Sequence, residues 1–148
     1  MSYCKLHYHI VFRTYRSIQA IDEKYENELY MYIYNYLTSR NCFLYRVGGM
    51  PDHIHLFTSI HQTIRVSDFI HDLKLATNSF LKENPHFPDF CGWGKKYCAI
   101  TYNVKDKNMI VNYIKNQKTH HESETTDEEF IRLLEENGID YDINHLDD

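Results

Sequence analysis

The sequence predicts an α+β fold of the ferredoxin-like kind, an antiparallel sheet of four to five strands covered by helices on one face. Three observations lead there. The apolar residues switch between alternation and a three-to-four spacing along the chain. The segments so defined run strand, helix, strand, strand, helix, strand, then helices. The length, 148 residues, suits one domain that buries a single core without disulfides or a structural metal.

The elements follow in order. Residues 3–13 alternate Tyr8, Ile10 and Phe12 with His7, His9 and Arg13, as a strand does. Residues 22–40 place Tyr25, Leu29, Ile33 and Tyr36/Leu37 on one helical face, and Asn41 is a stop. Strands are expected at 42–47 and 53–60, with Gly48-Gly49-Met50-Pro51-Asp52 as the turn between them. Ser67 is the expected N-cap of a second helix reaching Asn84, with Phe69, Leu73, Ala76 and Phe80 on its apolar face. Pro85 and Pro88 break the chain, and 90–96 reads as a loop rich in glycine and aromatics. A fourth strand is expected over 97–104, and a helix capped by Asp106 over 106–121. A last helix starts at Thr126, which forms a capping box with Glu129. Phe130, Leu133 and Leu134 give it a narrow apolar stripe, and Gly138 ends it.

Composition narrows the function classes. No segment approaches the apolar length that spans a bilayer, and the N-terminus lacks the apolar core of a signal peptide, so a cytoplasmic protein is expected. Cys4, Cys42, Cys91 and Cys98 are scattered with no Cys-x-x-Cys pair, which argues for buried reduced thiols rather than a zinc ribbon or disulfides. The net charge of -5 hides an asymmetry. Residues 122–148 carry eleven acids and one base, Arg132, whereas residues 1–121 carry fifteen bases and ten acids. A basic body, 1–121, with an acidic tail is compatible with a nucleic-acid partner.

Two motifs carry chemistry. In a strand, His53 and His55 point to one face while Ile54 and Leu56 point to the other, so two imidazoles form half of a divalent-metal site. Two histidines alone do not complete such a site, and two exposed side chains on a sheet face is the plain alternative. In the helix, Tyr113 and Gln117 stand one turn apart. Alone, that pair reads as the margin of an amphipathic helix. Together with the histidines it fits cleavage of a phosphodiester by a tyrosine, because a metal can polarise the phosphate while the phenol attacks.

At this level of detail the chain resembles the HUH-superfamily single-tyrosine transposases of small bacterial insertion sequences, the IS200-like group. The resemblance rests on Gly48-Gly49-Met50-Pro51-Asp52-His53-Ile54-His55-Leu56-Phe57 and on Tyr113 to Gln117 with the following His120-His121. Tyr8-His9-Ile10-Val11-Phe12, Trp93 to Tyr97 and Phe130 to Tyr141 extend it over nearly the whole chain. It implies that His53, His55 and Gln117 bind a divalent metal, Mg2+ or Mn2+, and that Tyr113 is the nucleophile. It further implies a 5′-phosphotyrosine intermediate, single-stranded DNA with hairpins as substrate, and a homodimer whose active sites are shared between subunits. His120 and His121 are alternatives to Gln117 as ligand. REP-associated tyrosine transposases, which often carry Tyr-x-x-x-Asn, and a domesticated hairpin-binding module without cleavage are the competing readings. Lys5, Arg13, Arg16, Lys74, Lys95 and Lys96 are expected DNA-phosphate contacts, with Trp93 and Tyr97 as base-stacking platforms. The acidic tail is expected to sit away from DNA or to help place the tyrosine helix.

Overall fold

The computed structural model describes residues 2–146. Four strands, β1 (His7–Thr14), β2 (Leu44–Met50), β3 (His53–Ser59) and β4 (Trp93–Tyr102), form one sheet in the order β2-β3-β1-β4. All three pairings are antiparallel. The helices are α1 (Glu26–Ser39), α2 (Val66–Glu83), α3 (Lys107–Lys115), α4 (Gln117–His120) and α5 (Thr126–Glu136). This is the expected ferredoxin-like order, with β1 and β3 central.

Helices cover both faces of the sheet, not one. On the first face Ile10, Phe12, Ile54 and Leu56 pack with Leu29, Ile33 and Leu37 of α1 and Phe69, Ile70 and Leu73 of α2. On the second, Val11, Cys98 and Ile100 meet Phe130, Leu133 and Leu134 of α5, and Phe57 meets Ile110 and Ile114 of α3. Full burial of side chains such as Ile110 and Ile114 stabilises by about 1.5–3 kcal/mol each. The alternation of β1 therefore buries its polar partners too: His7, His9 and Arg13 lie on the second face beneath α3 and α5.

Several boundaries shift for local reasons. Helix α1 starts after a turn in which the Asp22 carboxylate accepts from Lys24 N at 2.9 Å and its carbonyl accepts from Tyr25 N, also at 2.9 Å. Helix α2 begins at Val66 and Ser67 is not its cap; Arg65 holds that position without a side-chain bond. Thr77 and Leu81 are buried on its inner face where Ala76 and Phe80 had been expected, and Phe80 packs at the margin. Strand β4 starts at Trp93, inside the expected loop, because β1 pairs with it as far as Thr14↔Trp93 across an irregularity. All four cysteines are free, but only Cys42 and Cys98 are buried; Cys4 and Cys91 are exposed.

Two differences shape the site. Gly48-Gly49-Met50 belongs to β2, paired to His55, Ile54 and His53, and the turn shrinks to Pro51-Asp52. Neither glycine is needed for a left-handed turn. A Cβ on Gly48 would lie 2.9 Å from the Ile114 carbonyl oxygen of α3, and one on Gly49 would lie 2.2 Å from the His53 carbonyl oxygen. The expected 106–121 helix is broken at Asn116, which separates α3 from α4. Helix α5 uses Thr125 and Glu128 as its capping box rather than Thr126 and Glu129. Its end is as expected: Gly138 has φ 66°, and Ile139 N donates to Leu134 O at 2.9 Å.

Candidate active site

The strand register places His53 and His55 on the second face, where both are fully buried. Each ring is fixed through Nδ1. His53 Nδ1 lies 2.8 Å from Asp52 Oδ1, and Asp52 is itself held by the Thr126 hydroxyl, which donates to Oδ1 at 3.0 Å and Oδ2 at 2.9 Å. His55 Nδ1 lies 2.8 Å from His9 Nε2. Both Nε2 atoms thus face inward, to the same oxygen, Glu129 Oε1, 3.0 Å from each. His121 Nε2 joins them at 3.1 Å.

The other Glu129 oxygen faces the tyrosine helix. It accepts from Tyr113 Oη, and from Gln117 Nε2 at 2.8 Å. Gln117 Oε1 lies 3.2 Å from His53 Nε2. Arg132, one turn along α5 from Glu129, donates from Nη2 to Tyr113 Oη at 2.6 Å and pairs with Glu124 at 2.8 Å. The Tyr113 ring stands 5.8 Å from His55, with His120 4.6 Å on another side. One chain thus brings together Tyr113, His53, His55 and Gln117, and α5 joins them.

Electrostatics follow from burial and this one carboxylate. Burial acts to raise the Glu129 pKa, but hydrogen bonds from His121, His53 and His55 hold it far below the usual carboxylate range. Burial acts to lower His53, yet Asp52 and Glu129 push it up to about 9. His9, buried and beside His55, falls to about 3, and burial lowers His55 as well. The Tyr113 phenol is raised by burial and by Glu129, against the opposing pull of Arg132. His53, His55 and Glu129 each offer a ligand atom, all within 4.8 Å of one another, so this set suits a cation.

The remaining predicted residues are distributed differently. Arg13 is buried; it pairs with Asp127 at 2.8 Å, donates to Ser17, and its guanidinium lies over the Phe130 ring, which ties β1 to α5. Lys74 donates to the carbonyls of Gly94, Lys95 and Lys96 at 2.9–3.3 Å, and burial lowers it to about 8. Trp93 donates from Nε1 to Thr77 Oγ1 at 2.9 Å and packs against Phe12 and Phe90, so its indole belongs to the core margin. Lys5, Arg16, Lys95, Lys96 and Tyr97 are exposed; Lys96 also reaches the His145 carbonyl oxygen. Glu129, Arg132, Asp52 and His9 are site residues that sequence patterns did not single out. In the sequence Glu129 reads only as half of a cap.

The chain is similar to known proteins in sequence and fold. The family described as "Transposase IS200 like" matches residues 2–117. No curated protein matches the sequence. Among solved structures, a candidate transposase from Deinococcus radiodurans R1 is similar at 25% identity with a TM-score of 0.58, over 79% of this chain and 95% of that one. A REP-associated tyrosine transposase bound to a REP hairpin shares the fold at 14% identity and a TM-score of 0.60, over 82% of this chain and 74% of that one. With the family match covering most of the chain, this protein belongs to the IS200-like transposase family.

Proposed function

We propose that this chain cleaves and rejoins single-stranded DNA at hairpin-bearing element ends, with Tyr113 as nucleophile. The observation that carries the reading is the convergence of Tyr113 Oη, His53 Nε2, His55 Nε2 and Gln117 on one buried carboxylate, in a chain of a transposase family. Attack by Tyr113 Oη forms an O–P bond and breaks the bond from phosphorus to the 3′ oxygen, which takes up a proton from water as the phenol gives one up. A 5′-phosphotyrosine and a free 3′-hydroxyl result, and the energy kept in the phosphotyrosine allows rejoining. Tyr113 Oη donates to Glu129 Oε2, which orients the phenol, while Arg132 Nη2 donates to the phenolic oxygen and would balance the charge of a phenolate.

The donor set fits a divalent ion, Mg2+ or Mn2+. His53 and His55 would hold it, and both the Gln117 amide oxygen and the Glu129 carboxylate reach the third position. When bound, such an ion supplies Lewis-acid polarisation of the scissile phosphate. The hairpin partner is supported by the REP hairpin bound to the second structural neighbour. Tyr113 and the histidines meet within one chain, which supports a site complete in each subunit even where two copies associate.

Incubation of the protein with hairpin-bearing single strands and Mg2+ or Mn2+ tests the reading. A covalent protein–DNA adduct is expected, absent in Tyr113→Phe. Tight hairpin binding with no adduct at saturating metal would replace this reading by that of a non-cleaving binding module.

A further inference from the structure

Helix α5 lies beyond the segment that matches the family, residues 2–117, yet it delivers the residue on which the whole site converges. Glu129 is one of the most buried charged side chains of the molecule, with 1% of its surface exposed. Its placement is built from several directions. Phe130, Leu133 and Leu134 fasten α5 to Val11, Cys98 and Ile100, the Arg13–Asp127 pair fastens its first turn, and Thr126 ties that turn to Asp52.

Distances discriminate between the two groups that reach the third ligand position. Neighbouring ligands of an octahedral ion with metal–ligand distances of about 2.1 Å stand about 3.0 Å apart. Glu129 Oε1 is 3.0 Å from His53 Nε2 and 3.0 Å from His55 Nε2, so it already forms two such edges. Gln117 Oε1 lies 3.2 Å from His53 Nε2, a longer edge, and among the described residues no hydrogen bond joins it to His55. Its amide nitrogen instead donates to Glu129 Oε2 at 2.8 Å. That is the relation of an orienting group to a ligating carboxylate. A carboxylate is also the harder, charged donor that Mg2+ and Mn2+ favour over a neutral amide.

We propose that Glu129 is the third protein ligand of the divalent ion and that Gln117 is the positioning residue that orients it, so that ion binding and docking of α5 form one coupled equilibrium. The inference rests on the metal reading given above. Because ion and helix share Glu129, each stabilises the other: the ion protects α5 against local opening, and a loosened α5 weakens ion binding.

Two measurements on the full chain test this. The first is hydrogen exchange of the α5 amides with and without Mn2+, which needs no variant. Slower exchange with Mn2+ is expected, and unchanged exchange in a chain that binds Mn2+ overturns the proposal. The second is Mn2+ titration by calorimetry, with circular dichroism to confirm folding. Glu129→Gln is expected to weaken binding on the order of 100-fold or more, and Gln117→Ala about 10-fold, the range of a group behind the ligand. A greater loss in Gln117→Ala, or unimpaired binding by Glu129→Gln, overturns the assignment of Glu129 alone. A wild-type chain that takes up no Mn2+ overturns the metal reading beneath it.

Discussion

Gly48→Ala puts the placement of Tyr113, the proposed nucleophile, to a direct test. The added methyl group would lie 2.9 Å from the Ile114 carbonyl oxygen and 3.0 Å from Ile114 Cγ2. Comfortable contacts of carbon lie near 3.5 Å, so α3 must retreat from β2 by about 0.5 Å or more. One partner is helix backbone, which cannot swing aside as a flexible side-chain end can. Overpacking of this kind costs about 1–3 kcal/mol, equivalent for a chain of this size to a fall in Tm of about 3–10 °C. Tyr113 precedes Ile114 and moves with it, which lengthens its bonds to Glu129 and Arg132. Misplacement approaching 1 Å costs about 100-fold in rate, so Gly48→Ala should slow adduct formation about 10- to 100-fold while single-strand binding persists. Single-turnover adduct formation on a labelled hairpin strand, with Tm from circular dichroism, reads both effects. A variant with wild-type Tm and wild-type adduct rate would refute the claim that this close approach sets the tyrosine.

Three further predictions follow from the same centre. In metal-free protein His9 stays neutral in the fold with its pKa at about 3, so unfolding below its ordinary 6.5 takes up a proton and stability falls from pH 6.5 toward 3. His53, raised to about 9, acts oppositely: its contribution is whole below 6.5 and is lost as pH rises through about 9. Tm measured in EDTA should therefore peak at about pH 6–7, with the alkaline decline removed by Mn2+; a flat profile from 6.5 to 9 contradicts the charged His53. Thr126→Val removes both hydroxyl bonds to Asp52, and should lower stability by about 1.5–3 kcal/mol in urea unfolding and Mn2+ affinity about 10-fold. Replacing Lys95 and Lys96 by alanine should reduce the slope of log affinity against log salt for single strands by about 0.7 per lysine, without changing the adduct rate at saturating DNA; an unaltered slope would identify them as solvated charges.

What could be read from sequence, and what could not, divides along the range of the forces involved. The face assignment of His53 and His55 against Ile54 and Leu56 is correct because side-chain alternation in a strand is a local rule. Tyr113 and Gln117 emerged for a similar reason, although the helix between them breaks at Asn116. Gly48-Gly49 read as a turn because paired glycines usually mark one; their use here, close approach of α3 and β3, depends on segments distant in the chain. The sequence Thr125-Thr126-Asp127-Glu128-Glu129 offers two overlapping capping boxes with equal local merit. Tertiary contacts choose between them: three imidazoles and a phenol draw Glu129 inward, which leaves Glu128 for the cap and Thr126 for Asp52. His9, Asp52 and Arg132 carry no local signal, since each matters only through partners that other elements bring to it.

The position of Glu129 along the chain has a bearing on how the protein comes into being. A ribosome makes His53 and His55 first, then the tyrosine helix, and Glu129 after both. At that stage the two imidazoles and the phenol lack the carboxylate that unites them. Only when α5 is made does the second face of the sheet close and the centre take its final form. The centre thus stays unfinished until α5 has been made, and a product cut short before 126 would retain every residue of the family match while lacking the carboxylate of its own centre.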